Sequence, residues 1–322
     1  MRLSSLIGAA LCGVCLLQGV VAHAADKITG GAIGSASGTL WPYYIALSKG
    51  FFLEQNIDLD LVFAPSSAAV MQQLAAGALD VVATSGLADP IHAIDKGAPV
   101  AILRVSGRSV PYELMAKPEI KSIRELKGKT ISLGGIADIT RIYFDRMAAP
   151  NGVEPGQYDM VFAGATSARF SALRSGAVDA ALILPPFNFL ARSAGFNSLG
   201  LALDYTKDMP FIGIHVSRAW AGTHKPVLQR FVAAYGKGVD WFYDDAHREE
   251  AISIYGRASN ANRNEITESY DFFRKIEFFE RSDKISRAGL QNLLDAMKQL
   301  GDVDKSLTVD RLVLPDLTVL TD

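Results

Sequence analysis

Beyond the first two dozen residues the 322-residue chain has four histidines, His92, His215, His224 and His247. None stands in the His-x-x-x-His or His-Glu-x-x-His spacing that sets two imidazoles around a zinc ion on one helical face. No Gly-x-Ser-x-Gly turn presents a nucleophilic serine, and no Gly-x-x-x-x-Gly-Lys loop wraps a phosphate. The run Gly30-Gly31-Ala32-Ile33-Gly34 lacks the third glycine and the downstream acid of a dinucleotide site. Glu249-Glu250 belongs to a charged helical stretch and reads as a solvated face. The sequence therefore reads as a non-enzyme with neither cofactor nor metal.

Binding chemistry is better represented. Small polar residues stand where apolar runs give way to helices: Pro65-Ser66-Ser67, Thr84-Ser85-Gly86, Gly134-Gly135-Ile136-Ala137-Asp138-Ile139-Thr140 and Gly164-Ala165-Thr166. In open α/β sheets ligands settle beyond the carboxyl ends of strands. Backbone N–H groups at helix starts there receive carboxylates, sulfonates or phosphates. Ser67 and Thr166 either line such a site or cap their own helices, and the two roles are compatible. Trp41 and the Pro186-Phe187 pair offer apolar walls, with core packing as the alternative. Arg108 and Arg141 are the cations nearest to strand ends; each either pairs with an anion or forms a surface or interlobe ion pair. Asp138 either receives a ligand amine or caps the helix that follows it.

The elements that must position these groups alternate. Strands are predicted at Lys27–Ile33, Leu59–Phe63, Val81–Thr84, Val100–Val105, Thr130–Leu133, Met160–Phe162 and Ala180–Leu184, with helices around Tyr43–Lys49, Ala68–Ala76 and Ala168–Ser175. This pattern argues an α/β fold with largely parallel sheets. Ser122-Ile123-Arg124-Glu125 is a capping-box pattern opening a short helix that Gly128 closes. An internal echo recurs at a spacing of 99 residues: Asp60-Leu61-Val62-Phe63-Ala64 against Asp159-Met160-Val161-Phe162-Ala163, then Leu74 to Asp80 against Leu173 to Asp179. Ser67 and Thr166 share the same offset. Two copies of one strand–helix–strand unit predict two similar lobes. From about Lys225 the chain is helical, with apolar faces at Val227, Leu228, Phe231, Val232, Tyr235, Val239 and Phe242, and again from Ile285 to Leu300.

Residues 1–24 read as a secretory signal peptide: Arg2, an apolar run from Leu6 to Leu17, and the small-residue exit Ala22-His23-Ala24. Both cysteines, Cys12 and Cys15, fall inside it. Cleavage after Ala24 would leave 298 cysteine-free residues with a net charge of −3, against −2 for the whole chain. The expected product is exported, periplasmic and free of disulfides. With 32 basic against 34 acidic residues, a polybasic nucleic-acid surface is excluded as the main theme.

Four stretches carry a resemblance: Trp41-Pro42-Tyr43-Tyr44-Ile45-Ala46-Leu47-Ser48-Lys49-Gly50-Phe51-Phe52, Leu74 to Val81, Ile123 to Ile131, and Leu173 to Ala181 with the following Pro185-Pro186. In order and spacing they resemble the SsuA/NMT1/THI5-like periplasmic solute-binding proteins of ABC importers. The resemblance implies a two-lobe periplasmic-binding-protein fold (type II, Venus-flytrap) with mostly parallel mixed sheets and a helical C-terminal part. It divides the chain into lobe 1 at 25–110, lobe 2 at 111–208 and a return to lobe 1 at 209–322, with crossings near Val110–Ala116 and Asp204–His215. It implies a monomer that holds one small organic anion and hands it to a permease and its ATPase. Relatives bind sulfonates, taurine, nitrate, bicarbonate or pyrimidine precursors of thiamine, and the matching motifs do not choose among these. A cysteine-rich pyrimidine-synthase branch is set aside because the mature chain has no cysteine. An enzyme acting on a menaquinone precursor and a sensory module on the same fold are the rival readings.

Overall fold

The computed structural model describes residues 24–206, 209–259 and 261–322, so the expected leader, up to His23, lies outside the described residues. Ten strands form two five-stranded sheets. In chain order they are β1 Asp26–Ile33, β2 Ile57–Ala64, β3 Val81–Gly86, β4 Val100–Gly107, β5 Glu113–Ala116, β6 Thr130–Leu133, β7 Asp159–Phe162, β8 Ala180–Ile183, β9 Asn197–Leu201 and β10 Ile212–Ser217. The first sheet has the order β2-β1-β3-β10-β4 and the second β7-β6-β8-β5-β9. Their pairings match: β1 runs parallel to β2 and β3, as β6 does to β7 and β8. In each sheet the fourth strand is antiparallel to both neighbours, and it is the first strand after the chain crosses from the other sheet.

Those crossing strands, β5 and β10, and the edge strand β9 are absent from the sequence expectation. β5 is four residues of Glu113-Leu114-Met115-Ala116, weak strand formers that gain their place from the neighbours on both sides. The chain changes sheets between Gly107 and Glu113 and returns between Leu201 and Ile212. Lys207 and Asp208 of the second crossing lie outside the described residues.

The helices at the cleft are α1 Trp41–Ser48, α2 Phe51–Glu54, α3 Ser67–Ala75, α4 Ala88–Asp95, α5 Ile139–Ala148, α6 Thr166–Arg174 and α7 Phe187–Ser193. The C-terminal third adds α8 Arg218–Thr223, α9 Lys225–Tyr243, α10 Arg248–Ser259, α11 Arg263–Lys275, α12 Arg287–Gln299 and α13 Val309–Leu312. None of the described helices is long and apolar enough to cross a membrane.

The 99-residue echo has a physical content. Asp80 and Asp179 stand at its matching ends, and each carboxylate accepts the backbone N–H that opens the neighbouring strand pairing, from Thr29 at 2.8 Å and Thr130 at 2.9 Å. The same peptide groups return bonds from Asp80 N–H to Thr29 O at 3.0 Å and Asp179 N–H to Thr130 O at 2.8 Å. The repeat therefore preserves the clamp that joins each helix–strand turn to its sheet.

The apolar face of α9 buries Leu228, Phe231, Tyr235, Val239 and Phe242 against α1. Gly238 permits that approach, since a Cβ there would lie 2.3 Å from Pro42 O. In α12 Leu290, Leu293, Leu294 and Met297 are buried, while Leu300 just beyond it is exposed. The Ser122 to Glu125 pattern forms a 3-10 turn over Ile123–Leu126 rather than a full helix. Its Glu125 carboxylate takes the N–H of Lys121 at 3.0 Å and the Ser122 hydroxyl at 2.8 Å.

Candidate functional site

The ends of the two repeats meet. Ala165 N–H donates to Pro65 O at 3.0 Å, and Gly38 N–H donates to Pro185 O at 3.3 Å, so backbone from one sheet's loops bonds directly to the other's. Gly164 sits at φ +71°, and a Cβ there would be 2.4 Å from Pro65 O. Glycine is required on both counts.

Beneath this contact lies a cavity of about 60 Å³. A single water needs roughly 10–15 Å³ on that scale, so the space suits a small molecule. From the first sheet's side Ser37, Thr39, Ser67, Thr84 and Ser85 line it; from the second, Asp138, Thr166, Arg169 and Phe187. Tyr112 and Phe211, from the two crossing segments, close the back with rings 5.2 Å apart at an 80° angle.

Two helices of nine residues, α3 and α6, begin at this cavity with Ser67 and Thr166 as their first residues. Capping and lining are divided in the first helix. Ser66 is the N-cap, its Oγ accepting from Ala69 N–H at 3.2 Å, while the next residue, Ser67, faces the cavity. In the second, Ala165 is the N-cap, with a methyl that can make no capping bond, and the Thr166 hydroxyl accepts from Arg169 Nη2 at 2.8 Å.

Arg169 is the cation of the site, and the sequence reading missed it. It is only 3% exposed, donating also to Leu182 O at 2.7 Å and to the Tyr112 hydroxyl at 3.2 Å. Its guanidinium lies 5.1 Å from the Tyr112 ring centroid, and its Nε has no partner. Burial pushes the Tyr112 hydroxyl up in pKa, and Arg169 partly offsets this. A signal was present: Arg169 lies three residues after Thr166, hence on the same helical face. It also stands where the first repeat has Val70, a break in the echo that introduces charge.

Several expected residues stand elsewhere. Trp41 is fully buried away from the cleft, its indole stacked on Tyr255 at 4.3 Å and its Nε1 donating to Ala251 O at 2.9 Å. Its partners are more than 200 residues away in α10, which no local loop composition reveals. Thr39, two residues earlier, takes the cleft position. Arg108 lies at the first crossing, paired with Glu277, and Arg141 is paired with Asp302. Gly135 and Pro186 do not line the cavity. Thr140 is buried behind it, accepting from Gly134 N–H at 2.9 Å and bonding Asp138. Asp138 both caps α5, through Thr140 N–H at 2.8 Å, and lines the cavity. Phe187 lines it too, against Phe170 at 5.8 Å.

A second carboxyl stands behind Ser67. Asp89, near the start of α4, is buried, with Oδ2 unpartnered. Burial, and then the charge of Asp138, push its pKa up to about 8. The Ser67 hydroxyl is near enough to favour the charged form, yet it meets no hydrogen-bond geometry.

A family model described as NMT1/THI5 like matches residues 38–249, about two thirds of the chain. The alkanesulfonate-binding protein SsuA from Xanthomonas axonopodis pv. citri, bound to MOPS, superposes with a TM-score of 0.75 at 15% identity, covering 93% of this chain and 100% of that one. The periplasmic nitrate-binding protein NrtA from Synechocystis PCC 6803 gives 0.74 at 15% identity, covering 92% and 86%. The desulfurization enzyme DSZB shares the fold with a TM-score of 0.64 at 11% identity, covering 91% and 97%. At such identities the likeness is one of fold. No curated protein sequence matches the chain.

Proposed function

We propose, from the premise that this chain belongs to the NMT1/THI5-like family, that it is the solute-binding component of an ABC-type importer. In this reading it is exported to the periplasm and closes lobes 25–110 with 209–322, and 111–208, around a small organic anion. The observation that carries the reading is Arg169: a buried guanidinium whose partners are all neutral oxygens, at the floor of a cavity where two repeat-related helices begin. Arg169 makes no direct ion pair, and a buried cation left so is costly unless an anionic ligand binds against it.

The chemistry follows from the parts. The anionic head meets Arg169 and the first-turn N–H groups of α3 and α6, where helix dipoles add partial positive charge. Hydroxyls of Thr39, Thr84 and Ser85 orient it, and Phe187 with Phe211 covers its organic portion. Closing the lobes excludes water and strengthens each of these bonds. Only a ligand that prefers the closed arrangement shifts the protein toward it, which is how closure reports occupancy to a permease. SsuA with its sulfonates and NrtA with nitrate lend the anion class its plausibility.

The test is calorimetric titration of the exported protein with alkanesulfonates, aliphatic and aromatic carboxylates, nitrate and aminopyrimidines. Saturable binding of at least one anion is expected. Silence across the panel overturns the reading, and tight binding of an uncharged aminopyrimidine alone transfers it to thiamine-precursor capture.

A further inference from the structure

A second arginine repeats the signature of Arg169 away from the cleft. Arg104, on the edge strand β4, is only 3% exposed. Its Nη2 donates to two backbone carbonyls, Glu280 O at 2.9 Å and Arg281 O at 3.3 Å. Its guanidinium lies 5.4 Å from the Tyr235 ring centroid, and its Nε has no partner. The Glu280 carboxylate is turned back on its own loop, where Oε1 accepts Ser282 N–H at 2.8 Å. Arg104 thus sits buried on neutral oxygens, an arrangement that is costly until an anion binds against it.

Arg104 opens onto a groove of about 440 Å³, against about 60 Å³ for the cleft cavity, and the two share no lining residue. Sites for small organic molecules run to about 300–1,000 Å³. The walls are apolar: Leu103 from β4, Leu228 and Val232 from α9, and Leu317 near the C-terminus. Exposed Arg281 and Asp283 also line it, Arg281 lying 3.8 Å from Asp240, so the one buried charge among the lining residues is Arg104.

Gly236 completes the groove. Leu228, Val232 and Gly236 follow one another at four-residue spacing and share a stripe of α9. Glycine weakens a helix interior relative to alanine. Gly238 has a packing reason to be there, the close approach of Pro42 O, but a Cβ on Gly236 would meet nothing within 4 Å. Its backbone is helical, so no turn requires glycine either. What the missing side chain does is leave the groove open beside Arg104.

We propose that this groove is a second ligand site, independent of the cleft and of the receptor reading, for an amphipathic anion: a carboxylate against Arg104 with an unbranched alkyl tail along the Leu228–Val232–Gly236 stripe. The class is that of medium-chain fatty acids, whose tails a cavity the size of the cleft does not hold.

The experiment is calorimetric titration of the exported protein with hexanoate, octanoate and decanoate below their micellar concentrations. Acetate controls for the tail and decyltrimethylammonium for the charge. One site is expected, with decanoate at least about 10-fold tighter than hexanoate and no binding of either control. Gly236→Leu fills the groove from a position that packs against nothing. Its Tm is expected at or above that of the wild type, while decanoate affinity falls at least about 10-fold. Arg104→Gln is expected to weaken decanoate by at least about 10-fold as well; where that variant does not fold, Gly236→Leu decides. Arg169→Met, which disables the cleft, leaves decanoate binding unchanged. Wild-type affinity in Gly236→Leu, loss of decanoate binding in Arg169→Met, equal binding of the cationic amphiphile, or no binding of any alkanoate overturns the proposal, and each leaves the anion reading of the cleft to its own test.

Discussion

Replacing Arg169 with methionine separates two effects that one side chain combines. In the ligand-free protein its guanidinium donates to Leu182 O, the Tyr112 hydroxyl and Thr166 Oγ1, and its Nε is unsatisfied. Hydrogen bonds from a charged donor contribute roughly 1.5–3 kcal/mol each. Holding an uncompensated charge out of water costs several kcal/mol. The two nearly cancel, so the stability of the variant changes little: within about 5 °C in Tm, given roughly 2–4 °C per kcal/mol for a chain of this size. The bound anion has no such compensation. Losing one charge-assisted bond of roughly 1.5–3 kcal/mol weakens Kd about 10- to 150-fold. Thermal melting without ligand and titration with the best-binding anion read the two effects separately. An unchanged Kd refutes the assignment of Arg169 to the anion; a fall in Tm of more than about 10 °C shows that the guanidinium is a structural strut instead.

Gly164→Ala places a Cβ against Pro65 O at a left-handed backbone position, so it disfavours the closed arrangement while leaving both sheets folded. Ligand affinity is expected to drop at least about 10-fold, with a larger radius of gyration by small-angle scattering at saturating ligand; wild-type values refute the closure contact. Trp41→Phe removes the bond to Ala251 O and part of the stack on Tyr255. It is expected to lower stability by about 1–3 kcal/mol in denaturant unfolding, with Kd unchanged. A selective loss of affinity returns Trp41 to the cleft. Asp89 gives a pH signature. Its folded pKa is raised to about 8 from 3.8, so the folded state binds the extra proton and stability falls as pH rises across that interval. Asp89→Asn is expected to flatten this fall, gaining on the wild type in Tm above pH 8 relative to pH 5. Parallel Tm–pH curves contradict the assignment.

The repeat was legible because its physical content is local: a strand, a helix-opening hydroxyl, a helix stop and an aspartate that clamps the next strand. Thr130–Leu133 matches the observed β6 residue for residue, and the other expected strands differ from the observed ones by a few residues at most. The antiparallel strands β5 and β10 were not legible, because each is seated between strands distant in sequence, β5 between β8 and β9 and β10 between β3 and β4. The same distance rule divides the site residues. Ser67, Thr84, Ser85, Asp138, Thr166 and Phe187 stand at strand ends or helix starts and line the cavity. Trp41, Arg108 and Arg141 shared those local cues, yet are drawn away by Tyr255, Glu277 and Asp302. Arg169 was overlooked for the opposite reason. It lies inside a helix, marked by its spacing from Thr166 and by its departure from Val70 of the first repeat.

The most direct measurement is a crystal structure of the protein with the tightest anion of the panel. Receptor closure on a shared cleft requires the anionic oxygens within hydrogen-bond reach of Arg169, with the first turns of both α3 and α6 against the ligand. An anion bound to one lobe alone, or at any other place on the molecule, contradicts it.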